Sequence, residues 1–155
     1  MFSDDVYRTR LASVVTRLKQ AVGTLQDVAV IDASETDSGA RFSLSPKVAG
    51  ACPLDLMLRS DQHFDIEIGQ EFYEDCPIER LDLFEPLIHA IAEGRVIQRH
   101  HVSDLTGVPR GLETIVKLPD GEQWQRWHGQ DPTLPPWTFG LTTLRDHSFL
   151  PYRRS

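Results

Sequence analysis

From the N-terminus, the first apolar positions to recur are Tyr7, Leu11, Val14, Val15, Leu18 and Val22. Their three- and four-residue steps trace one stripe of a helix. Ser3 stands at the cap position, Asp4 and Asp5 face the positive end of the helix dipole, and Gly23 reads as the stop. Arg8, Arg17 and Lys19 fall off the stripe and are expected to be exposed.

The period then changes from helical to two. Residues 28–33 form a short apolar run, residues 35–39 a turn, and residues 40–45 alternate through Phe42 and Leu44. Leu54, Leu56 and Leu58 alternate with Asp55, Met57 and Arg59; Phe64, Ile66 and Ile68 alternate with His63, Asp65 and Glu67. These last two runs predict a hairpin. Burial fixes its register as Leu58 opposite Phe64, Leu56 opposite Ile66 and Leu54 opposite Ile68, closed by a loop of three or five residues. The other face then sets Asp55 against Glu67 and Met57 against Asp65. Opposed carboxylates repel across a strand pair, so an arginine, a cation or a basic partner is expected beside them.

Residues 71–78 read as a connection carrying Phe72 and Tyr73. Leu81, Phe84, Leu87, Ile88, Ile91 and Ala92 then give the strongest helical stripe in the chain, ended by Gly94. Pro86 is tolerated if the helix starts near Phe84, which puts the ring in the first turn. Residues 95–102 read as a strand and residues 103–111 as a loop. Residues 112–118 and 122–127 flank Pro119-Asp120-Gly121, whose fixed φ and left-handed glycine predict a three-residue hairpin pairing Val116 with Trp124 and Thr114 with Arg126.

The pattern predicts an α+β fold. It has one antiparallel sheet of about six to seven strands, with two main helices on one face, in the order α-β-β-β-β-α-β-β-β. Residues 1–129 form the domain. Residues 130–155, with Pro132, Pro135 and Pro136 followed by Trp137, Phe139 and Leu141, form an extended strap over the same domain or a second subunit.

Length and composition change this picture little. A chain of 155 residues with 40% hydrophobic and 25% charged residues suits one domain with its own core. No apolar run approaches membrane-spanning length and no secretory pattern opens the chain, so a cytoplasmic protein is expected. Arginine outnumbers lysine and asparagine is absent, a composition that points to a bacterial source. Cys52 and Cys76, each before a proline, read as ordinary thiols.

Charge adds more. Residues 61–93 hold ten acids and one base, Arg80, so a chain of net charge −7 concentrates its acidity in its centre. Such asymmetry suits a basic partner, including the basic first helix of a second copy. Nucleic acid is not expected, because phosphate binding needs a continuous basic patch.

Candidate chemistry is sparse. His100 and His101 are adjacent on a strand and point to opposite faces, so they cannot chelate together. No zinc, phosphate-loop, dinucleotide or nucleophile-elbow motif occurs. Asp65 and Glu67 share a face with Asp55, and with His63 they are the one constellation suited to acid–base work or a divalent cation. Trp124 belongs to the core by register, whereas Trp127 shares a polar face with Glu113, Lys117, Gln123 and Gln125 and needs a cover. The expected function is a non-catalytic, homodimeric binding or accessory protein without cofactor or metal. It docks through the acidic 61–93 region, with Glu74 and Asp75, through Trp127, Trp137 and Phe139, and through Arg8 and Arg17. The rival is a small-ligand or metal-dependent enzyme with Asp55, Asp65, Glu67 and His63 lining a pocket.

Overall fold

The computed structural model describes residues 2–129 and 142–153. Helix α1 spans Asp4–Gly23 and buries Tyr7, Val15, Leu18 and Val22, the stripe its spacing predicts. Two details differ. Ser3 occupies the cap position but its hydroxyl caps nothing, and the first turn closes through Tyr7 N–H to the Ser3 carbonyl at 2.8 Å. Gly23 is the last helical residue rather than a left-handed stop, and Thr24 continues in right-handed geometry.

Five strands follow as an antiparallel meander: β1 Ala29–Thr36, β2 Gly39–Pro46, β3 Leu54–Arg59, β4 His63–Ile68 and β5 Glu71–Pro77. The β3–β4 hairpin has the register that burial dictates, with Leu54, Leu56 and Leu58 facing Ile68, Ile66 and Phe64. β5 stands where the pattern predicts only a connection over residues 71–78. Its register against β4 shifts between Phe64 and Ile66, and Asp75 takes a left-handed φ of 55°. That bulge turns Tyr73 and Cys76, three residues apart, toward the same interior, which hides the period of two.

A 3-10 turn over Leu81–Leu83 leads into helix α2, Phe84–Ala92, so Pro86 lies in the first turn, where its missing N–H costs nothing. The remaining strands are β6 Val96–Ser103, β7 Pro109–Lys117, β8 Gln123–Gly129 and β9 Thr142–Ser148. They form a second antiparallel sheet in the order β8-β7-β6-β9, with Val116 opposite Trp124 and Thr114 opposite Arg126 as read from the turn. The expected single sheet is therefore two, of five and four strands. The chain leaves the first sheet at the bulged edge β5, runs through α2 and starts a new sheet instead of extending the old one.

Both sheets and both helices share one apolar core. Phe64 of β4 meets Phe84 of α2 edge-on at 5.0 Å, and Tyr73 of β5 meets Trp124 of β8 edge-on at 6.1 Å. Beyond β9 the chain stitches distant parts together. Tyr152, 1% exposed, donates its N–H to the Ala92 carbonyl and its hydroxyl to the Cys52 carbonyl, while Arg153 holds Asp27 and the Thr24 carbonyl.

Candidate functional site

The outward residues of the first sheet come together as the alternation requires. Asp55 faces Glu67 and Met57 faces Asp65 across β3 and β4, while Ser43 of β2 faces Asp55 and Asp32 of β1 faces Ser43. Two arginines answer the carboxylate repulsion. Arg41 grips both oxygens of Asp55, with Nε at 2.9 Å from Oδ1, and these bonds raise its own pKa above the usual arginine value. Arg59 bonds Asp75 and Asp61 and reaches Asp65 at 3.4 Å, and the Asp75 N–H donates to Asp65 at 2.9 Å. The pull of Asp75 and Asp61, in that order, raises the Arg59 pKa as well.

His63 does not join Asp65 and Glu67. Its ring lies 3.0 Å from the Asp61 carbonyl and is spent on the hairpin loop. The carboxylates of the enzymatic reading are thus largely committed: Asp55 to Arg41 and Asp65 to Arg59. What stays open is different. Asp32, Glu67 and Glu74 make no ion pair among the described residues, and Phe72, 49% exposed, stands beside Glu67 with Glu74 two residues on. The rest of the acidic 61–93 segment is dispersed. Glu71 pairs with His128, Asp82 with Arg80 and Glu93 with Arg95.

On α1, Arg8 and Arg17 are exposed and make no ion pair among the described residues. They lie on the helix side away from the core, and Arg17 lines a groove with Glu79 and Asp82. Trp127 is half-buried on the outward face of the second sheet, where its ring meets His101 edge-on at 4.7 Å. It also covers Gly111, whose added Cβ would lie 2.4 Å from the ring. An aromatic laid diagonally over a strand glycine is one way a sheet gains cover without a partner. Trp137 and Phe139 lie outside the described residues.

Sequence reasoning missed two histidine–carboxylate pairs. His101 sits 2.7 Å from Glu113, and His128, stacked on Tyr73 at 4.0 Å, sits 2.8 Å from Glu71. The first pair follows from the β6–β7 register, which puts His101 opposite Gly111 and diagonal to Glu113. The second joins the two sheets, and no local pattern marks it. His100 is exposed and on the opposite face from His101. Both cysteines are free and buried, and burial pushes the Cys52 thiol up to about 12, away from nucleophilic use.

Among the described residues, no three metal-binding side chains cluster, and no helix is long and apolar enough to cross a membrane. No family model, no curated protein and no solved structure matches the chain.

Proposed function

We propose that this protein is a non-catalytic binding protein whose docking surface is the outward face of the first sheet, and whose partner is a basic protein. The observation that carries this reading is the uncommitted charge on that face. Asp32, Glu67 and Glu74 make no ion pair among the described residues, while Arg41 and Arg59 are engaged by their neighbours, and Phe72 offers an exposed aromatic anchor opposite Glu67. Charged rims around an aromatic steer encounter and exclude mismatched partners. Self-association through α1 is a special form of the same reading. In that form Arg8 and Arg17 of one copy meet the acidic face of the other, as in a homodimer.

Charge reversal tests this. The tagged protein and its Asp32→Lys/Glu67→Lys/Glu74→Lys variant are isolated from the cells that naturally make it, and bound proteins are identified. The reading expects a basic partner that leaves with rising salt and is absent from the variant, whose circular dichroism and Tm stay near those of the parent. A partner retained equally by the variant, or a strict monomer with no salt-sensitive partner, overturns it.

A further inference from the structure

β1 is an outer strand of the first sheet, and its eight residues include no proline and no lysine. Its register against β2 runs unbroken from Ala29 opposite Pro46 to Thr36 opposite Gly39. Sheets guard such edges with charge, proline or a bulge. β5, the opposite edge, has all three: Glu71, Glu74 and Asp75, then Pro77, and the shifted register beside Asp75. β1 carries only Asp32 and Glu35, and Glu35 is tied to Lys19 of α1 at 2.5 Å. Val30 is 65% exposed and residues 32–36 are all exposed.

The direction of the main-chain groups follows from the same register. The Lys47 N–H donates to the Val28 carbonyl at 2.9 Å, which makes residues 28 and 47 a hydrogen-bonded pair. Such pairs alternate along an antiparallel ladder. Val30, Asp32, Ser34 and Thr36 therefore spend their N–H and C=O groups on β2. Ile31, Ala33 and Glu35 aim theirs at the outer edge, where none is bonded among the described residues.

We propose that β1 pairs antiparallel with β1 of a second copy, about a two-fold axis at Ala33, joining the two five-stranded sheets into one. The strand is self-complementary in that register alone. An axis at Asp32 sets two carboxylates against each other. An axis at Ile31 or Ser34 shortens the paired stretch to residues 29–33 or 32–36. With Ala33 on the axis, residues 30–36 pair. Val30 meets Thr36, Ile31 meets Glu35 and Asp32 meets Ser34 of the second copy, with no like charges opposed. Ile31, Ala33 and Glu35 then exchange about six main-chain hydrogen bonds with their counterparts. Because β5 is guarded, pairing stops at the dimer. The contacts are main-chain groups rather than the carboxylates of the proposed docking face, so the two readings fail separately.

Light scattering after size exclusion, at about 100 μM and well past a ~1 μM Kd, tests the dimer. The parent is expected to be dimeric. Ala33→Pro removes only an outward-aimed N–H and is expected to be monomeric, with circular dichroism like the parent's. A second measurement tests the register independently. Asp32→Cys in one copy and Ser34→Cys in the other face each other at a non-hydrogen-bonded pair, with Cα atoms about 4.5 Å apart and within disulfide reach. Two copies of the same variant hold their cysteines about 8 Å apart, beyond that reach. Oxidation should give covalent dimer in the equimolar mixture and little in either variant alone, because Cys52 and Cys76 are buried and do not compete. A monomeric parent, a dimeric Ala33→Pro, or a mixture that crosslinks no better than a single variant overturns the inference.

Discussion

Asp55 stands directly opposite Glu67 across β3 and β4, and Arg41, one strand over, grips Asp55, while Glu67 makes no ion pair among the described residues. The pair is asymmetric. One carboxylate is neutralised and belongs to the sheet; the other is presented. The same division repeats along the face, where Arg59 holds Asp61, Asp65 and Asp75.

Removing Arg41 should therefore expose the repulsion it masks. Arg41→Gln is expected to lower Tm, and adding Glu67→Gln should restore part of the loss, because neutralising either opposed acid relieves the other. Thermal melts of the two single variants and the double variant check this. Strictly additive effects would mean that Arg41 does not mediate between the two acids.

Tyr152 anchors the C-terminus by inserting between elements far apart in sequence. Tyr152→Phe keeps the ring but strands the Cys52 carbonyl that its hydroxyl bonds at 2.5 Å, an expected loss of about 1–3 kcal/mol. Tyr152→Ala also opens a cavity and should cost about 3–5 kcal/mol. Urea denaturation separates the two effects. Equal stability of Tyr152→Phe and the parent would show that the hydroxyl bond adds nothing.

Two helix-end glycines should respond oppositely. Gly94 has φ of 78°, and a Cβ there would lie 2.6 Å from the Pro151 backbone nitrogen, so Gly94→Ala is expected to destabilise by at least about 1–3 kcal/mol. Gly23 ends α1 in helical geometry with nothing near its Cβ position, and Gly23→Ala should stabilise by about 0.4–1 kcal/mol. Chemical denaturation of both variants reads the sign directly.

Two arginine–aspartate pairs hold the C-terminal segment and give it a pH dependence. Hydrogen bonds from Arg153 and Arg99 keep the Asp27 and Asp146 carboxyls below the ordinary value of 3.8. A carboxyl depressed on folding contributes stability above its unfolded pKa and loses it as pH falls through the folded value. The Leu150 and Tyr152 amides, which donate to Gly50 and Ala92, should keep their exchange protection from neutral pH down to about pH 4. They should lose it below that, before Ile66 in the core does. Protection that falls together at all three amides would place the acid transition in the whole fold instead.

The sequence made the hairpins legible because their signals are local. Period-two alternation set the β3–β4 register, and Pro119-Asp120-Gly121 set that of β7–β8. β5 was hidden because the bulge at Asp75 brings Tyr73 and Cys76 inward at a spacing of three. The split into two sheets and the pairing of β9 with β6 rest on contacts far apart in the chain, which no window of alternation encodes. For the candidate face, the opposition of Asp55 and Glu67 could be read in advance. Its resolution by Arg41 required the β2–β3 register, and the commitment of Arg59 to Asp75 required β5. The sequence places Trp124 in the core, but it does not show that the indole N–H lacks an acceptor among the described residues.

The docking face is tested most directly by zero-length carbodiimide crosslinking of the native complex, with linked peptides read by mass spectrometry. Links are expected from Asp32, Glu67 and Glu74 to lysines of a basic partner, weakened by added salt. If the partner is a second copy, the links run to Lys19, Lys47 or Lys117 of the neighbouring chain. Links confined to other surfaces, with Asp32, Glu67 and Glu74 left unmodified by the partner, would contradict it.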